Sequence, residues 1–170
     1  DQFKALKDLQ VQYKKDVIKE QEDLLQARYD KQLKAFNKER ELAEKSTIDG
    51  STDKELAQLD ALAEQELNLK INNLKEQLEL NKDNAAKKLD IEQELNSTLT
   101  NLEKTKFENS NKLMDRKFDK QQESINKEKR LATKATKDGS TNEELAKIDQ
   151  LNEKEISLDI SKLQAKAKLY

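Results

Sequence analysis

The sequence predicts an all-α protein, built from elongated antiparallel helical hairpins of the coiled-coil type. Charged residues make up 40% of the 170 residues and aromatic residues 4%, which is typical of long, solvent-exposed helices. The chain has no proline and only two glycines, so it lacks the turn residues that β-hairpins need. Leucine and isoleucine recur every three or four residues in a narrow stripe, which is the spacing of a coiled-coil seam.

A long segment of the chain recurs 89 residues further on. Between residues 29–71 and 118–160, 23 of 43 positions are identical. A sequence rich in Lys, Glu and Leu gives some chance matches, but it does not keep a whole turn motif in alignment. We therefore interpret the chain as two copies of one helical unit, which cover residues 1–80 and 90–170 and are joined by residues 81–89.

Each copy contains one glycine, at the place where we expect the chain to reverse direction. That glycine follows an aspartate at the end of a long helical pattern, where glycine commonly ends a helix. The motif Thr-x-x-Glu comes next and predicts a capping box that opens a new helix. The pattern predicts an αα-hairpin in each copy. The predicted turn and cap residues are Asp49, Gly50, Thr52, Glu55, Asp138, Gly139, Thr141 and Glu144.

The two turns and a polar stretch at 81–84 divide the chain into four predicted helices. Asp83 or Asn84 could cap a helix that begins at Ala85. Without a break there, residues 53–136 would form one helix of about 125 Å. No Gly or Pro marks the site, but the correspondence of the two copies favours a break. The predicted helices cover residues 2–47, 53–80, 85–136 and 142–169.

The chain lacks the side chains that most catalytic and metal sites use. Without His or Cys it has neither the usual general base and zinc ligand nor a thiolate nucleophile or disulfide. Neighbouring carboxylates such as Glu64 and Glu66, or Glu92 and Glu94, need an enclosed pocket to separate their pKa values, and a thin helical assembly offers none. The segment that begins at Asp49 has glycine in second position, whereas a calcium-binding EF-hand loop needs it in sixth. We predict no enzyme, no cofactor and no metal site.

Charge is unevenly distributed along the chain. Residues 53–100 carry a net charge of −5 and residues 101–137 a net charge of +5. Complementary charge between neighbouring helices or protomers explains this better than a nucleic-acid patch, because the whole chain has a net charge of −2. We expect protein partners bound through apolar helix seams, self-association included, and no small-molecule substrate, nucleic acid or membrane span. The residues of the alternative nucleic-acid patch would be Arg116, Lys117, Lys120, Lys127, Lys129 and Arg130.

The order of motifs along the chain suggests a family. A Lys/Glu-rich helix is followed by the turn and cap motif at 49–57, a Leu/Ile-rich helix, a polar break, and the sequence KKLDIEQEL at 87–95. This order resembles the coiled-coil stretches of phage tail tape-measure proteins, particularly those from phages and prophages of Bacteroidetes-type bacteria. The resemblance implies a helical ruler inside a tail tube that sets tail length. It also implies a location in the virion tail, or in the bacterial cytoplasm during assembly.

Two alternatives to this function remain open at the level of sequence. The chain could be a helical scaffold or oligomerisation stalk of a bacterial secretion or surface assembly, and a nucleic-acid-binding helical rod is the third hypothesis. The first residue is Asp1 rather than Met, so we expect the chain to be an excerpt or a processed product.

Overall fold

The computed structural model describes residues 2–47, 52–136 and 141–169, and 94% of these residues are helical. No strand occurs within these ranges, which confirms the predicted all-α fold class. Helix formation over such lengths follows from the absence of proline and from the narrow apolar stripe. The four helices are α1 (Gln2–Ser46), α2 (Asp53–Leu80), α3 (Ala85–Ala135) and α4 (Asn142–Ala167).

Helices α2 and α4 begin with reciprocal capping boxes. The Thr52 hydroxyl accepts a hydrogen bond from the Glu55 backbone N–H at 3.4 Å, and the Glu55 carboxylate accepts one from the Thr52 N–H at 2.7 Å. Thr141 and Glu144 repeat the arrangement at 3.3 and 2.9 Å. Each box satisfies backbone donors that the first turn of a helix leaves free. The other four predicted turn residues, Asp49, Gly50, Asp138 and Gly139, lie outside the described residues.

Helix α2 is separated from α3 by a short polar turn. The backbone N–H of Asn81 donates to the Gln77 carbonyl at 3.0 Å and closes the last turn of α2. The side-chain oxygen of Asn84 accepts from the Lys87 backbone N–H at 3.2 Å, just as α3 begins. Residues 53–136 are therefore two helices in this structure rather than one.

Contacts divide the chain into two compact units, Asp1–Lys106 and Phe107–Tyr170. The boundary lies within α3, whereas the division drawn from the repeat runs through 81–89. The start of α3 belongs to the first unit because it packs beside α2, where the Lys70 Nζ lies 2.8 Å from the Glu94 Oε1.

In the first unit α1 and α2 are antiparallel. Arg40 Nη1 lies 3.1 Å from Glu66 Oε2, and Arg28 pairs with Glu76 at the other end of α2. The apolar stripes of both helices and the face of α3 that carries Leu102 enclose the core. Its buried residues are Leu25, Ala43, Leu62, Ile71, Leu74 and Leu102, together with the polar residues Asn73, Asn81 and Thr98.

In the second unit the remainder of α3 packs antiparallel to α4. Lys129 pairs with Glu155, and Lys166 Nζ lies 3.0 Å from Asp115 Oδ1. The buried apolar residues described here are fewer than in the first unit. They are Phe118, Ala132 and Leu151.

The capping box of α2 can be tested by substitution. We expect Thr52→Ala to lower the free energy of unfolding by about 1 kcal/mol, because it leaves a backbone N–H of the first turn without its acceptor. The measurement is urea denaturation followed by circular dichroism. Thr100→Ala is the matched control and should cause no such loss of stability. Its exposed mid-helix hydroxyl donates to the Asn96 carbonyl, and alanine is the better helix former. Equal stability of Thr52→Ala and the unmodified chain would contradict the role given to the cap.

A buried amide in α2 gives a second test. Asn73 is 8% exposed, and its Oδ1 has no hydrogen-bond partner among the described residues. Leucine has a similar size and carries no polar atom to desolvate, so we expect Asn73→Leu to raise the free energy of unfolding by about 1 kcal/mol. Asn68→Leu is the control, because Asn68 is exposed on the same helix. A loss of stability in Asn73→Leu would show that the amide has an essential partner.

Candidate protein-interaction surface

A polar junction joins three helices of the first unit. Glu22 on α1 accepts a hydrogen bond from the Asn81 amide at 2.7 Å, and its two oxygens lie 2.9 and 3.0 Å from the Lys87 ammonium at the start of α3. Asn81 is only 4% exposed and also donates to the Gln77 carbonyl at 3.0 Å. The junction therefore fixes the turn between α2 and α3 against the middle of α1.

The same contacts control the ionisation of Glu22. Burial alone would raise the pKa of this carboxyl, but hydrogen bonds from Lys87 and Asn81 and the Lys87 charge outweigh it, so the pKa lies below its usual value. Glu22 is thus ionised at neutral pH and is suited to holding an ion pair. The lowered pKa makes it a poor general acid.

Tyr29 on α1 lies near charged residues of α2 and α3. Burial raises the pKa of the Tyr29 hydroxyl; the Lys70 charge opposes the shift, and the charges of Glu66 and Glu94 add to it. These charged residues lie on α2 and α3, so Tyr29 on α1 faces both neighbouring helices. Tyr29 itself is half-buried.

Three of the four carboxylates considered in the sequence are engaged in ion pairs. Glu66 pairs with Arg40 at 3.1 Å and Glu94 with Lys70 at 2.8 Å, while Glu92 lies 3.7 Å from Lys88. No group of three or more acidic side chains within 2–47, 52–136 and 141–169 is placed to hold a metal ion. The pairs of Glu66 and Glu94 connect neighbouring helices, and the pair of Glu92 lies along α3.

A basic residue of α3 also forms an ion pair between helices. The Lys129 ammonium pairs with Glu155 on α4, and Glu155 also accepts a hydrogen bond from Gln122 at 2.7 Å. The hydrogen bond from Lys129 is the main reason why the pKa of Glu155 lies below its usual value. One member of the possible nucleic-acid patch thus contributes to packing between helices.

Two apolar stripes are left on the surface. The first lies on the opening turns of α1, where side chains at spacings of three and four residues are mostly exposed. The second lies on one face of α4. Contiguous exposed apolar surface of this kind marks places where proteins associate. The α1 stripe consists of Phe3, Leu6, Leu9 and Tyr13, and the α4 stripe of Ile156, Ile160 and Leu163.

Comparisons with known proteins add no identity to these surfaces. No protein-family model, curated protein or solved structure matches the chain. Across the helices that the structure describes, none is long and apolar enough to cross a membrane. The features of the chain itself therefore carry the functional argument.

Sequence patterns alone do not single out the junction residues. Asn81 lies in the polar stretch predicted to interrupt the helix, but its partner Glu22 is 59 residues earlier and resembles every other glutamate on α1. The apolar seams can be recognised from their spacing. Which parts of a seam stay exposed depends on where the neighbouring helices end.

The junction predicts a dependence of stability on pH. Because the folded-state pKa of Glu22 is lowered, its contribution is fully present above the usual glutamate value of about 4.3 and is lost as the pH falls through the lower folded value. We expect Glu22→Gln to destabilise the first unit by about 1 kcal/mol at neutral pH and by less at about pH 3. The measurement is the urea midpoint at both pH values.

Glu20→Gln provides the matched control for this comparison. Glu20 is an exposed carboxylate on the same helix, so its replacement is expected to change the midpoint little at either pH. If Glu22→Gln lost as much stability at acidic pH as at neutral pH, the junction would not depend on the ionised carboxylate.

Proposed function

We propose that the chain is a non-enzymatic structural spacer, a coiled-coil segment of a phage tail tape-measure protein that acts as a ruler. The observation that carries the proposal is the length of uninterrupted helix. Helix α1 alone runs for 45 residues, which corresponds to about 68 Å. A helix without proline extends in fixed proportion to its residue number, and a ruler requires that proportion.

A ruler would need its hairpins to open, and the ion pairs between α1 and α2 oppose this opening only weakly. The Arg40–Glu66 and Arg28–Glu76 pairs are about half-exposed, and pairs of this kind contribute roughly 0–1 kcal/mol each. The buried seam is narrow. Partner helices in a tail could replace the contacts that hold the hairpin.

The composition also supports a structural role. The chain has no His and no Cys, and Glu66 and Glu94 are each paired with a basic residue on another helix. Such carboxylates stabilise helix packing.

An oligomerisation stalk or helical scaffold is the second candidate, favoured by the two exposed apolar stripes. In that case the hairpins would stay closed, and the stripes on α1 and α4 would bind other subunits. Nucleic-acid binding has less support, because Lys129 pairs with Glu155 and the whole chain is net negative.

A change of length tests the ruler directly. In the phage or prophage that encodes the chain, we expect in-frame duplication of one 89-residue unit to lengthen the tail by up to about 130 Å. Deletion of one unit should shorten it equally. Tail lengths are measured by electron microscopy of purified particles.

The control is an insertion of the same number of residues in a Gly/Ser-rich sequence, which forms no helix and has no fixed length. A tail whose length is the same with one, two or three units would contradict the ruler and favour the stalk. Absence of the chain from tail particles would also contradict it.

A further inference from the structure

The two hairpins place residues that are 89 positions apart in matching environments. Leu62 and Leu151 are both 2% exposed, and the Arg40–Glu66 ion pair between α1 and α2 corresponds to the Lys129–Glu155 pair between α3 and α4. The two pairs join the same positions of the two antiparallel helices. A difference in exposure between corresponding residues must therefore come from what else packs against them.

One face of the second helix differs sharply between the hairpins. Ile71 and Leu74 on α2 are 4% and 3% exposed, whereas their counterparts Ile160 and Leu163 on α4 are 50% and 68% exposed. The residue types are the same, so the composition of the face does not explain the change. What differs is the presence of a covering helix.

In the first unit that covering helix is the start of α3. The Lys70–Glu94 ion pair, next to Ile71, fixes α3 antiparallel to α2. Further along α3, Leu102 is 7% exposed, so this part of α3 is buried as well. Among the described residues of the second unit, no helix takes this place beside α4.

The chain contains a second segment with the covering pattern. Residues 2–17 lie 89 positions before residues 91–106 of α3. The half-buried Leu95 and the buried Thr98 and Leu102 correspond to Leu6, Leu9 and Tyr13, which are 56%, 69% and 70% exposed. These positions line one face of the helix at spacings of three and four residues.

We propose that the α1 stripe of one molecule packs on the α4 stripe of a second copy of this chain, as the start of α3 packs on α2. The charges favour this pairing: residues 2–17 carry four basic and two acidic side chains, and α4 carries six acidic and four basic ones. The two stripes differ, so the contact is heterologous, and a pair of molecules keeps one free α1 stripe and one free α4 stripe. The expected product is an open head-to-tail series.

Two complementary variants test the pairing by sedimentation velocity. The unmodified chain is expected to form species of growing mass as its concentration rises. The double variants L9K/Y13K and I160K/L163K each destroy one stripe, so each alone is expected to remain monomeric. An equimolar mixture is expected to form a heterodimer that grows no further, because each variant supplies the stripe that the other lacks.

The matched controls are Leu42→Lys and Leu131→Lys, which lie 89 positions apart and are 61% and 60% exposed. Neither belongs to the α1 stripe or the α4 stripe, so both variants are expected to associate like the unmodified chain. Circular dichroism should give the same helicity for all variants, because the replaced side chains are exposed.

Four results would overturn the proposal. The first is a monomeric unmodified chain at every concentration, and the second is association of either double variant on its own, which would mean that identical stripes pair with each other. The third is a mixture in which the two double variants do not combine. Association that is lost in the control variants would also place the interface elsewhere.

Discussion

Every part of this structure depends on the pairing of narrow apolar stripes. A helix with so many charged residues gains little from its own hydrogen bonds in water and is held mainly by burial of its apolar face against another helix. In the first unit three helices meet, and Leu62, Ile71 and Leu74 are almost fully buried. In the second unit two helices meet, and the corresponding face of α4 is exposed beyond Leu151. Burial therefore follows the number of neighbouring helices, while the stripe itself stays the same.

Polar contacts determine how the helices align, because the stripes alone would allow shifts by a turn. A shift of α1 along α2 would separate Arg40 from Glu66, and an equal shift of α3 along α4 would separate Lys129 from Glu155. The junction of Glu22 with Asn81 and Lys87 acts more strongly, because Asn81 is buried and would lose its partner. Exposed ion pairs add little free energy, so their main effect is to favour one alignment over others.

The sequence predicts those parts of the fold that short-range patterns mark, and it misses those that depend on distant contacts. The all-α class follows from composition and spacing, and the capping motifs lie within four residues of the helix starts that they mark, as at Thr52 and Thr141. The contact between Glu22 and Asn81 crosses 59 residues and has no local pattern. The extent of the first unit, to Lys106, was not predicted either, because no glycine or proline marks that point of α3.

The exposed stripe of α4 has a buried counterpart 89 positions earlier in the chain. Ile160 and Leu163 have the residue types of the buried Ile71 and Leu74, and the opening turns of α1 carry the exposed apolar residues Leu9 and Tyr13. Both a ruler with packed neighbours and a stalk of associated subunits would cover these faces. The burial of apolar stripes, which holds each unit together, therefore also favours contacts with further helices.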